Sequence, residues 1–121
     1  MGYRSNVRIK ISKKGFEMVE ENIKKSEYTV MLDFDVKEEL SDGAVLFGYD
    51  DVKWDFSFND VQTVESILRK LDAMVEGNPE ALEEYFYKEI QIGEDGAITE
   101  YSNDEDEEFV EDFYAYASFS L

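Results

Sequence analysis

The sequence has no cysteine and no histidine among its 121 residues. Without cysteine the chain can form neither a disulfide nor a thiolate nucleophile, and without histidine it lacks common zinc ligands and the imidazole general base. It also has no apolar run of about 18 residues and no signal-peptide pattern, so we expect neither a membrane span nor secretion. These absences exclude many classes of enzyme and predict a cytoplasmic protein without a cofactor.

Basic residues are also few, because 12 lysines and arginines stand against 30 aspartates and glutamates, for a net charge of −18. The charge is uneven: residues 1–26 carry a net charge of +4 and the remaining residues a net charge of −22. Such a field repels nucleic acid and anionic membranes and attracts basic surfaces. We therefore expect a basic protein surface as the partner, with no direct binding of nucleic acid or membrane.

Apolar residues, in contrast, are plentiful, with 43% hydrophobic and 15% aromatic residues. This composition is typical of a folded chain and not of a disordered one. The length suits one domain with one hydrophobic core. We expect a single domain over residues 1–121, as a monomer or a homodimer.

Alternation of apolar and polar residues predicts several β-strands. Residues 7–11 read VRIKI, which places Val7, Ile9 and Ile11 on the inner face and Arg8 and Lys10 on the outer face. Similar patterns predict strands at 28–36, 44–49, 52–58, 85–92, 97–101 and 113–121. The last of these would make the end of the chain a core strand and not a loose tail.

Apolar residues spaced by three and four predict two main helices. One covers residues 13–25 after a cap at Ser12, and the other covers 60–75 between a cap at Asn59 and an end at Gly77. A short helical turn at 79–84 follows. Together with the strands, these helices predict an α+β fold, an antiparallel sheet of about five to seven strands with two main helices packed on one face.

The acidic segment 103–112 has the composition of a calcium loop but not its spacing. Counted from Asp104, the positions that an EF-hand gives to glycine and to its last glutamate hold Phe109 and Ala115. We therefore expect a solvated acidic loop and no metal site. Asp33 and Asp35 could act as an acid and a base, but no nucleophile signature accompanies them, so we expect no enzyme.

Carboxylates that repeat about every 6 to 7 Å along strands and helices can imitate a row of phosphates and occupy a basic nucleic-acid groove. The alternative is that acidity serves only solubility. Two tyrosines near the end of the chain join the candidates, because tyrosine is frequent at binding hot spots. The predicted partner-binding residues are Asp33, Asp35, Asp104, Glu105, Asp106, Glu107, Glu108, Glu111, Asp112, Tyr114 and Tyr116.

The remaining candidates are one aromatic residue and a basic group. Trp54 faces inward on its predicted strand, which favours a role in the core. Arg4, Arg8 and Lys10 could form an anion site, or they could be neutralised by the acidic remainder of the chain.

Three short motifs carry a resemblance to a known group of proteins: MGYRS at 1–5, YDDVKW at 49–54 and IGEDGAITE at 92–100. Together they resemble small, uncharacterised phage and prophage proteins. The resemblance implies a viral or mobile-element origin and a bacterial host. Since small acidic phage proteins often act against host nucleic-acid enzymes, including CRISPR effectors and restriction systems, it also favours mimicry.

Overall fold

The computed structural model describes residues 3–104. Five strands lie in this range: β1 (Ser5–Ile11), β2 (Val36–Glu39), β3 (Val45–Val52), β4 (Tyr87–Gly93) and β5 (Ile98–Ser102). The helices are α1 (Lys13–Lys25), α2 (Asn59–Gly77) and α3 (Leu82–Tyr85), with short 3-10 turns at Thr29–Leu32 and Pro79–Ala81. None of these helices is long and apolar enough to cross a bilayer. The strand predicted at 113–121 lies outside the described residues.

The five strands form one antiparallel sheet in the order β2-β3-β1-β4-β5. The first strand is central, because β1 pairs with β3 on one side and with β4 on the other. The late hairpin of β4 and β5 is present as predicted. The α+β class, the antiparallel sheet and the helices packed against it are therefore confirmed.

The main core lies between the sheet and the helices. Val7, Ile9 and Ile11 on β1 are completely buried, as the alternation predicts. They belong to one cluster with Phe16, Val19 and Ile23 of α1 and Val64, Leu68 and Leu71 of α2. Ser12 caps α1 by accepting a hydrogen bond from the Gly15 amide at 3.1 Å, which confirms the predicted start of this helix. For α2 the cap position belongs to Phe58 and not to Asn59, and the helix continues through Gly77.

The opposite face of the sheet is also buried. Cross-strand pairing places Arg8, Leu46, Ile90 and Ile92 on this face, and all four are buried. The three apolar residues do not belong to the cluster under the helices. Arg8 points away from the helices as predicted, yet only 5% of it is exposed. The sheet is thus apolar on both faces, which simple alternation did not indicate.

The strand predicted at 28–36 is wrong. Residues 29–32 form a 3-10 turn, in which Met31 is buried and Val30 is 67% exposed. The hydroxyl of Tyr49 holds this turn by donating a hydrogen bond to the Met31 carbonyl at 2.6 Å. Phe34 packs on Phe47 with ring centroids 5.2 Å apart. Residues of this segment that pack against the core thus produce part of the alternating apolar pattern of a strand, although the segment forms no strand.

The two strands predicted at 44–49 and 52–58 are in fact one strand, followed by a loop. The chain does not turn at Asp50 and Asp51, because two hydrogen bonds hold Asp51 against β1. The side-chain oxygen of Asn6 accepts a hydrogen bond from the Asp51 amide at 2.9 Å, and Arg4 donates one to the Asp51 carbonyl at 2.7 Å. Asp51 has a φ of 53°, a left-handed conformation that aspartate tolerates better than most residues. Phe56 and Phe58, predicted to face the core, are exposed in the loop.

Candidate functional site

The sequence-predicted partner-binding residues fall into three groups in the structure. Asp33 and Asp35 lie between the 3-10 turn and β2, and both are exposed. Asp104 follows β5 and is half-buried. The other eight lie outside the described residues: Glu105, Asp106, Glu107, Glu108, Glu111, Asp112, Tyr114 and Tyr116.

The structure does not bring the two described groups together. Asp33 and Asp35 lead into β2 at one edge of the sheet, whereas Asp104 leaves β5 at the other edge. Four inter-strand spacings of about 4.8 Å separate these edges, and the register offsets Asp35 from Asp104 by about five residues along the strands, so the two groups are about 25 Å apart. A partner that contacts both groups must therefore span the sheet.

Asp35 also has a local structural role. Its carboxylate accepts a hydrogen bond from the Asp50 amide at 2.7 Å, and its own amide donates to the Gly48 carbonyl at 3.0 Å. These bonds tie the loop before β2 to the end of β3. The regular spacing expected for Asp33 and Asp35 on a strand is wrong, because neither residue lies in one.

The edge beyond β5 carries an acidic cleft. It has a volume of about 640 Å³, and Asp72, Glu76 and Asp104 contribute its carboxylates. The Asp104 amide is fixed by the hydroxyl of Ser102, which accepts it at 3.0 Å. Asp104 therefore lies beside carboxylates contributed by α2.

Most of the basic residues near the start of the chain are neutralised within the fold. Five of the seven basic residues in 1–26 form ion pairs. The shortest joins Arg8 to Asp50 at 2.7 Å, where the arginine side chain is almost fully buried. The others are Arg4–Asp51 at 3.9 Å, Lys10–Asp42 at 3.3 Å, Lys14–Glu84 at 3.0 Å and Lys25–Glu21 at 3.0 Å. Of the two alternatives for Arg4, Arg8 and Lys10, these contacts favour neutralisation over an anion site.

An aromatic cleft of about 360 Å³ opens between the end of β3 and the start of α2. Tyr49, Trp54 and Phe58 contribute its aromatic surface, and Arg4 and Asp60 are among its polar lining residues. Trp54 stacks on Tyr49 with ring centroids 5.3 Å apart. The tryptophan is half-buried and packs against the core, although the strand predicted for it is a loop.

A cluster of charged side chains lies beneath the β4–β5 hairpin, and the sequence did not predict it. Glu89 of β4 is 0% exposed, and Glu65 of α2 is 4% exposed. Arg69 lies one turn further along α2, 3.8 Å from the Glu65 carboxylate and 3.0 Å from that of Asp72. Its guanidinium lies over the ring of Tyr101 at 5.1 Å. This cluster joins the second half of the sheet to α2.

The sequence of β4 explains why this cluster was not predicted. Ile90 and Ile92 alternate with Glu89 and Gln91, so the isoleucines suggest the inner face. The register places Glu89 opposite Ile9 of β1, on the side of the helices. The sequence of α2 could have indicated the cluster. Glu65, Arg69 and Asp72 are spaced by four and then three residues, so they lie on one side of the helix beside the apolar stripe.

The environment of the cluster changes its protonation. Burial, and then the adjacent Glu65 carboxyl, raise the pKa of Glu89 well above that of an ordinary glutamate. Since Glu89 is fully buried, a substrate cannot reach it in this conformation. The cluster can bind or release a proton, but the described side chains include no trio of acidic groups arranged to hold a metal ion.

Comparison with known proteins gives no relative from which a role could be transferred. No protein-family model matches the chain, and neither the curated proteins nor the solved structures include a similar one. The resemblance to phage proteins stays a prediction. Only the surface and the contacts of the chain itself bear on its function.

Proposed function

We propose that this chain is a phage-type inhibitor that binds a basic, nucleic-acid-handling host protein by imitating nucleic acid. A defence nuclease such as a CRISPR effector is the class of partner we favour, because its nucleic-acid channel is positively charged. The chain acts by binding and not by catalysis. Its proposed partner-binding residues are Asp33, Asp35 and Asp104 at the two edges of the sheet, together with the acidic residues of 105–112 and with Tyr114 and Tyr116, which follow in the sequence.

The proposal rests on the ion pairs that the basic residues form. All 12 basic residues lie in the described part of the chain, and five of the seven near its start are paired with carboxylates. Six of the 30 acidic residues follow Asp104, with no basic residue among them. Much of the positive charge near the start of the chain is thus paired with carboxylates, while the chain as a whole has a large excess of negative charge. Such a surface attracts a basic groove and repels nucleic acid.

The distance between the two acidic edges is compatible with one binding surface. A standard interface covers about 800 Å² on each partner, so its diameter of roughly 32 Å is larger than the separation of about 25 Å derived above. Glu38 and Glu39 on β2 add two exposed carboxylates to the edge that holds Asp33 and Asp35. One partner can therefore contact both edges at the same time.

The alternative is an accessory phage protein that binds another phage protein, with acidity serving only solubility. The exposed Phe56 and Phe58 beside the aromatic cleft favour this alternative, because exposed aromatic residues often anchor protein interfaces. In that case apolar contacts, and not carboxylates, would supply the affinity.

Capture from a bacterial lysate separates the two proposals. Mimicry predicts that the immobilised chain retains nucleic-acid-binding proteins, that rising salt elutes them, and that added DNA or RNA competes for them. A purified captured protein should also lose its nucleic-acid binding when the chain is added.

Two variants complete the experiment. Phe56→Ser with Phe58→Ser removes exposed aromatic surface, and Asp33→Asn with Glu38→Gln and Glu39→Gln removes charge at one edge. Mimicry predicts that the second variant releases the partner at lower salt and that the first behaves as wild type. If the aromatic variant alone loses its partner and nucleic acid does not compete, mimicry is wrong and the accessory role is supported.

A further inference from the structure

The buried carboxyl groups of Glu65 and Glu89 present a problem of hydrogen bonding. As carboxylates, both oxygens of Glu89 and one oxygen of Glu65 have no donor within the part of the chain that the structure describes. The other Glu65 oxygen accepts the indole N–H of Trp54 at 2.8 Å. Orphaned buried acceptors are costly, and orphaned buried charges are more so.

The charges that face this pair do not resolve the problem. From α2 come Glu65, Arg69 and Asp72, so one guanidinium serves three carboxyl groups once Glu89 is included. The guanidinium is closest to Asp72, and the Tyr87 hydroxyl on β4 hydrogen-bonds both of these groups.

The other neighbours of Glu89 supply no positive charge. Tyr101 of β5 and Ile9 of β1 are its direct cross-strand neighbours. Gln91, two residues along β4, places its buried amide nitrogen near Glu89 and so acts to lower the pKa of Glu89, but the geometry of this contact is too poor to satisfy either group.

One proton on this pair satisfies two of the orphaned oxygens. A protonated Glu89 can donate its O–H to the free oxygen of Glu65, with which it is in hydrogen-bonding reach. The pair then carries one negative charge, which the indole N–H and the guanidinium of Arg69 stabilise. Without the proton, two like charges face each other away from water.

We propose that Glu65 and Glu89 form a proton-binding pair, and that release of its proton to solvent loosens the β4–β5 hairpin from α2. The geometry places the pair at that contact, since Glu65 lies on α2 and Glu89 on β4. The inference concerns the fold and is independent of the proposed function.

The direction of the pH effect follows from proton binding. The folded protein keeps a proton at pH values where Glu89 in the unfolded chain has lost it, so stability falls as pH rises above about 4.3. The fall continues until the folded protein also releases the proton. For one proton, the equilibrium constant for unfolding increases by up to about tenfold per pH unit in this range.

Three variants test the pair by denaturant unfolding between about pH 5 and pH 9. Glu89→Gln keeps the size of the neutral acid, so it should fold and lose the pH dependence, and it should be more stable than wild type at the alkaline end. Glu65→Gln removes the second charge and should narrow the pH range over which stability falls, although burial alone still raises the pKa of Glu89. Glu76→Gln changes an exposed residue on the same helix and should keep the wild-type profile.

Two further measurements report on the site itself. Trp54 is the single tryptophan of the chain, and its indole donates directly to Glu65, so its fluorescence should titrate with the pair in wild type and not in Glu89→Gln. After correction for the intrinsic base-catalysed rate, amide hydrogen exchange should accelerate with pH in β4 and β5 more than in β3.

The carboxyl ¹³C titration of the wild-type protein decides the matter even if a variant does not fold. Glu89 should titrate well above the ordinary range of glutamate. The proposal is overturned if Glu89 titrates within that ordinary range, or if Glu89→Gln keeps both the wild-type stability profile and the wild-type titration of Trp54 fluorescence.

Discussion

Gly48 offers a sharp test of the packing at the centre of the sheet. A Cβ atom at this position would overlap the carbonyl oxygen of Val7 and would lie 2.9 Å from Cδ of Arg8. The carbonyl belongs to the backbone of the central strand, so it cannot rotate aside as a flexible side chain would. We therefore expect Gly48→Ala to force a shift between β1 and β3.

The magnitude follows from two opposing terms. Overpacking of a well-packed interior costs about 1 to 3 kcal/mol, and a backbone obstacle favours the upper end of that range. Replacing glycine reduces the entropy of the unfolded chain, which recovers about 0.4 to 1 kcal/mol. The expected net loss is about 2 kcal/mol, a substantial part of a typical stability of about 5 to 15 kcal/mol. For a domain of this size it corresponds to a decrease in Tm of about 8 °C.

Gly77→Ala is the matched control for this substitution. Gly77 is the last residue of α2, and no atom lies within 4 Å of the position of a new Cβ. The same chemical change should therefore be neutral or stabilise the protein by up to about 1 kcal/mol. Urea unfolding measures both variants. If the free energy of unfolding of Gly48→Ala is within about 0.5 kcal/mol of wild type, or equals that of Gly77→Ala, β1 and β3 do not approach each other as closely as described.

Two other predictions concern the end of the chain and its acidity. Deleting residues 113–121 should abolish the cooperative melting transition, because Phe113, Phe119 and Leu121 would be lost, and each is worth about 1.5 to 3 kcal/mol when buried. A truncated chain that still melts cooperatively would show that this segment is not a core strand. Calcium and magnesium at millimolar concentration should raise stability slightly and to the same extent, since screening needs no shaped site; a calcium-specific transition in the micromolar range, seen by calorimetry, would contradict the reading of 103–112 as a solvated loop.

The elements that sequence reasoning located correctly are those whose apolar residues repeat with a regular period. The alternation of Val7, Ile9 and Ile11 and the spacing of Val64, Leu68 and Leu71 each specify one face, and these residues are buried as expected. Local patterns of this kind contain enough information because side-chain direction repeats with a fixed period.

Other features depend on contacts between distant parts of the chain. The continuation of β3 through Asp51 depends on Asn6 and Arg4, and Glu89 is buried close to Glu65 of another element. On β4 both Ile90 and Glu89 are buried, although they point to opposite faces of the sheet. Alternation alone cannot distinguish a sheet that is buried on both faces from one that is buried on a single face.

The proposed partner-binding residues could be chosen from charge, but their arrangement could not. The sequence indicates a dense acidic segment after Asn103, and it does not indicate that Asp33 and Asp104 lie at opposite edges of one sheet. It also does not indicate which carboxylates are paired. The pairing of Asp50 with a buried Arg8 removes one exposed charge that composition alone would have assigned to the surface.

The most direct test of mimicry is calorimetric titration of a purified captured partner with wild-type protein and with a neutralised variant. The variant changes the seven acidic residues of 104–112 to asparagine and glutamine, which keeps their shape, and Glu17→Gln with Glu27→Gln serves as a control at exposed positions elsewhere. Each lost contact with a desolvated basic group should cost about 1 to 3 kcal/mol, so two such contacts already lower the affinity about 100-fold. Mimicry predicts this loss, an unchanged control, and competition by DNA or guide RNA. Affinity of the neutralised variant within about 0.5 kcal/mol of wild type, with no competition by nucleic acid, would contradict the proposal.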